Sequence, residues 1–197
     1  MERKIEAFFE KWQKDLIRKP LILYGPKQVG KTFTVLNFAK KEYKNTVYFN
    51  TENNLELIDL FSREKNTEKI ILNLSLLSGE TILKEDTLIV LDNLDSIEIV
   101  KSLKLFGSER SKYHIIAITS RKERLNEFKG EELQFKGMNE MDFEEYCWAK
   151  DEKALEDMKN VFEKSARATW SNINNGAMAM FVDVLENHRD AYNEERR

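Results

Sequence analysis

The sequence is poor in the residues that build disulfide frameworks, metal clusters and irregular loops. Its 197 residues include one cysteine (Cys147), two prolines, two histidines and seven glycines. A single cysteine can form no internal disulfide, and alone it makes no zinc site. We therefore expect Cys147 to be a small packed residue, and the fold to depend on an ordinary hydrophobic core.

Long apolar runs and an excess of positive charge are also missing. No run is long enough to cross a bilayer, and the N-terminal MERKIEAFFEKWQKDL lacks the pattern of a signal peptide. The formal net charge of −3 does not indicate nucleic-acid binding. Hydrophobic residues make up 41% and charged residues 34% of the chain, as in a charged globular protein. Because the sequence shows neither a signal peptide nor a membrane-spanning run, its expected location is the cytoplasm.

Two of the few glycines, Gly25 and Gly30, have four residues between them; they follow a short apolar run and precede a Lys-Thr pair. The pattern is that of a G-x-x-x-x-G-K-[ST] phosphate-binding loop. Glycines let the backbone come close to an anion, and successive N–H groups and the following helix N-terminus favour negative charge. Lys31 is expected to reach the β- and γ-phosphates, and the Thr32 hydroxyl to bind Mg²⁺. The predicted nucleotide-binding residues are Gly25, Pro26, Lys27, Gln28, Val29, Gly30, Lys31, Thr32 and Phe33.

Helical and strand patterns alternate over the first 140 residues. This alternation predicts an α/β fold with a five-stranded parallel sheet flanked by helices. Leu16 is expected on the apolar face of the first helix, and Leu36, Phe38 and Ala39 on the sheet-facing side of the second. Strands stop at Met141, so we predict a nucleotide-binding domain over 1–140 and a helical lid or tail over 141–197. The predicted strands are 21–24, 46–50, 87–92, 113–120 and 133–137, and the helices are 5–18, 32–43, 55–63, 68–77, 96–106, 142–149, 152–165 and 176–186.

The second motif is the apolar run Leu88–Asp92, which ends in an acidic residue. An Asp at the end of a strand next to the phosphate-loop strand would hold the Mg²⁺ shell together with Thr32. The alternative is that Asp92 caps the following helix.

Asn93 follows, where many ATPases of this type place a Glu that polarises the attacking water. An amide cannot accept a proton as a carboxylate does, and loss of a general base typically removes about 10²–10⁴-fold in rate. Nucleotide binding is therefore better supported than efficient hydrolysis. Asp95 or Glu52 could substitute, although both are also typical solvated or capping residues.

Polar and basic residues follow the fourth predicted strand. Ser120 stands where a sensor would hydrogen-bond the γ-phosphate or the attacking water, and the alternative is simple strand termination. Arg121 or Arg124 could stabilise charge in the same subunit or act as a finger toward a neighbour, although surface arginines are common. The candidate catalytic residues are thus Lys31, Asn93, Ser120 and Arg121.

Several segments occur in an order that resembles a family of prokaryotic AAA-type ATPases. They are RKPLILYGPKQVGKT, TVYFNTENN, DTLIVLDNLDS, YHIIAITS and MNEMDFEEYCWA, while NINNGAMAMFVDVLE resembles the start of that family's helical lid. The resemblance implies ATP and Mg²⁺ as ligands, and a further C-terminal domain sometimes described as nuclease-like. Three features depart from it: Asn93, Gly130-Glu131 in place of Gly-Arg, and an end at the point where that domain would begin, as in a short form or a fragment.

Four functions remain open from the sequence. The first is Mg·ATP binding with slow or absent hydrolysis, used as a switch. The second is an active ATPase that works on a protein or nucleic-acid partner. The third is a nucleoside or small-molecule kinase, for which Arg110, Arg121 and Arg124 are sparse. The fourth is an interaction module that binds a partner or itself through apolar tail residues between Ala166 and Phe181.

Overall fold

The computed structural model describes residues 3–107, 112–121, 132–142 and 145. The chain divides into two compact units, Ile5–Glu140 and a second unit of Met1–Lys4 with Met141–Arg197. The three helices predicted after residue 141, apart from Asp142 and Glu145, lie outside the described residues, as do Arg110, Arg124, Gly130 and Cys147. The predicted division into 1–140 and 141–197 stays a prediction.

The first unit alternates helices and strands along its whole length. Its helices are α1 (Glu6–Gln13), α2 (Lys31–Glu42), α3 (Leu55–Arg63), α4 (Thr67–Ser78) and α5 (Ile97–Leu103), the last continued by a 3₁₀ turn, Lys104–Gly107. Its strands are β1 (Leu21–Tyr24), β2 (Asn45–Asn50), β3 (Thr87–Asp92), β4 (His114–Thr119) and β5 (Gln134–Gly137).

All five strands are parallel, in the order β2-β3-β4-β1-β5. The predicted five-stranded parallel sheet with flanking helices is confirmed. The expectation that the Asp92 strand lies next to the phosphate-loop strand is wrong, because β4 separates them: Ile116 pairs with Leu21 on one side and with Val90 on the other. Both β3 and β4 are buried along their whole length, so hydrophobicity alone does not say which of them adjoins β1.

Alternate residues of the central strands fill two cores, one on each face of the sheet. One core takes Ile89, Leu91 and their neighbours together with apolar residues of α3, α4 and α5. The other takes Leu88 and Val90 with α1 and α2, including Phe9, Trp12, Val35, Phe38 and Ala39. The strand ends are thereby held from both sides.

Two helical predictions need correction. Leu16 is 97% exposed, because α1 ends at Gln13 and Arg18 donates to the carbonyl oxygens of Gln13 and Asp15, closing a turn. Leu36 is also half out of the core, with 37% of its surface exposed, and Val35 faces the sheet instead. The buried apolar residues of α2 are thus at positions 35, 38 and 39, which lie on one helical face.

In the second unit, the described residues form a charged cluster. Asp142 Oδ1 accepts from Glu145 N at 2.9 Å and Glu145 Oε2 from Asp142 N at 3.2 Å, the reciprocal pattern of a capping box. Arg3 Nε lies 3.1 Å from Glu145 Oε1, with both side chains buried, and Lys4 Nζ lies 2.6 Å from Asp142 Oδ2. Within the described ranges, no helix is both long and apolar enough to cross a bilayer.

Candidate functional site

A cleft of about 520 Å³ opens at the carboxyl ends of the strands in the first unit. In parallel α/β sheets this edge is where ligands bind. Four segments contribute to it: the loop after β1 with the start of α2, the turn after β2, the end of β3 and the end of β4. The lining residues are Lys27, Gln28, Gly30, Lys31, Thr32, Phe33, Glu52, Asp92, Asn93, Ile118, Thr119 and Ser120.

The loop between β1 and α2 depends on its two glycines for different reasons. Met138 N donates to Tyr24 O at 2.8 Å, which brings the backbone of Met138 so close that a Cβ on Gly25 would lie 1.9 Å from its carbonyl oxygen. Gly30 has φ +88° at the N-cap of α2, a left-handed conformation that glycine adopts without strain. The helix therefore begins at Lys31 with its free N–H groups beside the cleft.

The ammonium group of Lys31 lies against the loop itself. Its Nζ donates to Gly25 O at 3.0 Å and to Pro26 O at 2.6 Å, and the residue is only 8% exposed. Burial lowers the pKa of Lys31, and the negative charge of Asp92 opposes this effect. A cation held here with little water around it is suited to an anionic ligand.

Asp92 receives hydrogen bonds on both carboxylate oxygens. Oδ2 accepts from Thr32 Oγ1 at 2.8 Å and from Tyr48 Oη at 2.9 Å, and Oδ1 accepts from Asn93 N at 2.8 Å. The alternative that Asp92 caps the next helix is wrong, because the Ser96 side chain caps α5 by accepting from Ile99 N.

Tyr48 is a site residue that sequence reasoning missed. Burial and the hydrogen bond to Asp92 raise the pKa of its phenol to about 12. Asn50, at the end of β2, pairs in register with Asp92, so a side chain two residues earlier lies on the same face. That period could have pointed to Tyr48 only once β2 was known to adjoin β3.

The donor set fits a hard divalent cation. A hydroxyl and a carboxylate in contact supply the oxygen ligands that Mg²⁺ takes, usually completed by phosphate oxygens and water. In the described part of the chain no group of three or more His, Cys, Asp or Glu residues could hold a metal. A cation at Thr32 and Asp92 would therefore take the rest of its ligands from phosphate oxygens and water.

Asn93 is locked in an unusual backbone conformation. Its φ is +56°, a left-handed value that Asn tolerates better than most residues. Its Nδ2 donates to Asn50 Oδ1 at 3.1 Å. The amide thus points along the end of β2, and a Glu at this position would carry backbone strain that Asn avoids.

Predicted catalytic residues after β4 separate into two groups. Ser120 lines the cleft beside Thr119, whose hydroxyl accepts from Arg121 N at 3.1 Å. Arg121 is not among the lining residues, and its guanidinium pairs with Asp95 at 3.1 Å. The structure brings Lys31, Thr32, Asp92, Asn93 and Ser120 together in the lining of the cleft. Arg121 is outside this lining and is paired with Asp95.

Two solved structures from Drosophila contain chains to which this chain is similar at low sequence identity. A chain in "Structure of Drosophila ORC bound to DNA" has 17% identity and a TM-score of 0.47; the match covers 83% of this chain and 50% of that one, so this chain spans half the length of that relative. A chain in "Structure of Drosophila ORC bound to AT-rich DNA and Cdc6" has 14% identity and a TM-score of 0.45, with 98% and 74% covered. No curated protein matches the sequence.

A protein-family model gives a more direct assignment. The model described as "AAA domain" matches residues 17–147, which is more than half of the chain. The match spans all five strands, the glycine loop and the cleft described above. The chain therefore belongs to the AAA domain family and is a nucleotide-binding P-loop domain of the AAA type.

Proposed function

We propose that this cleft binds Mg·ATP and that hydrolysis there is slow, so that the bound nucleotide serves as a switch. The observation that carries the proposal is the contact between Thr32 and Asp92, 2.8 Å apart, beside the buried Lys31. The hydroxyl from the phosphate loop and the carboxylate at the end of β3 would together hold a Mg²⁺ ion, which would neutralise the charge of the phosphates.

Each of these residues has a separate task in the proposal. The Lys31 ammonium exchanges the carbonyl oxygens of Gly25 and Pro26 for phosphate oxygens, which are stronger partners because they are charged. Thr32 and Asp92 hold the cation. Ser120, at the rim of the cleft, donates to the γ-phosphate or to the water next to it. Ordering of these groups around the γ-phosphate would give the domain one conformation with ATP bound and another after the phosphate is lost.

Slow turnover is proposed because of Asn93. Its amide is engaged with Asn50 and has no lone pair basic enough to take a proton from water. The preference for ATP over GTP and the relation to prokaryotic ATPases with a nuclease-like C-terminal domain are proposals that rest on the sequence resemblance. A protein partner for the tail is a proposal that rests on its apolar residues between Ala166 and Phe181.

Isothermal titration with Mg·ATP tests the proposal. We expect saturable binding in the wild type and a loss of at least about tenfold in Lys31→Ala, because a charge-assisted contact to phosphate contributes about 1.5–3 kcal/mol. The matched control is Lys40→Ala, an exposed lysine on the same helix that does not line the cleft.

Titrations with Mg·GTP and with ATP in the presence of EDTA complete the experiment. Weaker binding without Mg²⁺ supports the role of Thr32 and Asp92. If the wild type binds no nucleotide at millimolar concentration, or if Lys31→Ala binds as well as Lys40→Ala, the proposed function is wrong.

A further inference from the structure

We propose that Glu52, rather than a residue at the Asn93 position, acts as the general base toward the attacking water in the slow hydrolysis proposed above. This inference rests on the proposed function, because it concerns hydrolysis of the nucleotide bound in the same cleft. Glu52 follows β2, and it lines the cleft together with Lys31, Thr32 and Asp92.

Elimination among the nearby carboxylates leads to Glu52. Asp92 accepts three hydrogen bonds and belongs to the cation site. Asp95 is paired with Arg121 and does not line the cleft. For the Glu52 carboxylate, the described residues provide no hydrogen-bond or ion-pair partner. Among the described acidic residues that follow β2 and β3, Glu52 is the one that lines the cleft without such a partner.

The turn that carries Glu52 is hydrogen-bonded to the end of β3, the strand that carries Asp92. Thr51 N and Thr51 Oγ1 both donate to the carbonyl oxygen of Asp92, each at 2.9 Å. Thr51 is 3% exposed. The residue next to Glu52 is therefore bound directly to the backbone of the proposed Mg²⁺ ligand, so the backbone of Glu52 is held beside the end of β3.

Asn50 links the two candidate positions. Its Oδ1 accepts from Glu52 N at 3.0 Å and from Asn93 Nδ2 at 3.1 Å. The Asn50 amide oxygen thus binds both the backbone of Glu52 and the side chain of Asn93. In this arrangement Asn93 is a positioning residue, and the carboxylate comes from the neighbouring strand.

The proposed step is a simple hydrolysis. The water oxygen forms a bond to the γ-phosphorus while the bond from that phosphorus to the β–γ bridging oxygen breaks, leaving ADP. Glu52 takes a proton from the water and returns it to the released phosphate or to solvent. A positioned base of this kind contributes about 10²–10⁴-fold in rate.

Single-turnover phosphate release tests the assignment, with Mg·ATP affinity measured in parallel by titration calorimetry. We expect Glu52→Gln to lower the rate of phosphate release by at least about 100-fold. Its affinity for Mg·ATP should stay within about threefold of that of the wild type. Glu56→Gln is the matched control: it is exposed, lies on the first turn of α3 and does not line the cleft. Its rate should equal that of the wild type.

Chemical rescue separates a base from a structural residue. In Glu52→Ala, added formate should restore part of the lost rate, because a small carboxylate can enter the vacated position. The inference is wrong if Glu52→Gln hydrolyses ATP like the wild type, if affinity falls as much as rate, if formate has no effect, or if the wild type binds Mg·ATP but releases no phosphate. Absence of any nucleotide binding would instead overturn the proposed function.

Discussion

Asp92 carries more hydrogen bonds than a cation ligand of this type requires. Tyr48 and Thr32 both donate to Oδ2, although only the Thr32 hydroxyl is expected to share the cation with it. A phenol with a pKa near 12 stays protonated at neutral pH and remains a donor. Tyr48 therefore withdraws part of the negative charge that Asp92 would otherwise offer to Mg²⁺ or to its bound water.

Removing this phenol should strengthen the cation site. In Tyr48→Phe, we expect the Mg²⁺ concentration for half-maximal ATP binding to fall by up to about tenfold, since a hydrogen bond to a charged group contributes about 1.5–3 kcal/mol and only part of it competes. The measurement is ATP titration at a series of Mg²⁺ concentrations.

Tyr113→Phe serves as the control for that experiment, because its phenol bonds Glu68 at 2.7 Å and does not line the cleft. It should leave the Mg²⁺ requirement unchanged. A higher Mg²⁺ requirement in Tyr48→Phe would mean that the phenol orients Asp92 and does not compete with the cation.

At the scale of elements, α4 shows how far periodicity reaches. Its residues Ile70, Ile71 and Leu74 are in the core. Yet Leu72 and Leu76 are 60% and 73% exposed. The apolar residues of TEKIILNLSLLS lie on more than one side of the helix, so the sequence does not reveal which leucines face the core. Only the contact of α4 with the rest of the layer selects one face.

Two leucines of α4 make a direct test of this orientation. Leu74→Ala should lower the free energy of unfolding by about 2–5 kcal/mol, because it leaves a cavity in the core. Leu76→Ala should change it by less than about 0.5 kcal/mol, as for most exposed positions. Urea denaturation measures both, and equal losses would contradict the described face of the helix.

At the scale of the whole molecule, one buried polar group lies where three elements meet. His114 begins β4, its Nδ1 is 2.6 Å from the phenol oxygen of Tyr43 after α2, and its ring contacts Trp12 of α1 edge-on. Burial, with the positive charge of Arg18 adding to it, lowers the pKa of His114 from 6.5 to about 4. The imidazole is therefore neutral in the folded protein at pH values where it would be charged in the unfolded chain.

This shift predicts acid sensitivity with a defined window. The unfolded state binds a proton on His114 below about pH 6.5 and the folded state only near pH 4, so stability is lost as the pH falls through this range. Thermal unfolding from pH 7 to pH 4.5 should show a falling melting temperature, with a smaller fall in His114→Gln. An equal fall in both proteins would assign the effect to other groups.

The sequence by itself determined the alternation of strands and helices, the parallel sheet and the position of the phosphate loop. These follow from local patterns: apolar runs, helical periodicity, and glycines before Lys31 and Thr32. The sequence did not determine the order of the strands in the sheet. Both β3 and β4 are buried along their whole length, so exchanging their positions in the sheet leaves every local pattern unchanged.

Tertiary structure alone decided which direct contacts the side chains of the cleft make with one another. The contacts of Asp92 with Thr32 and Tyr48 cross 60 and 44 residues of chain, and Asn50 meets Asn93 across 43. Such contacts depend on the pairing of β2 with β3 and on the position of β4 between β3 and β1, which only the packed sheet establishes. The physical reason is that a residue's type is local, whereas its neighbours across a parallel sheet are set by how whole strands pack.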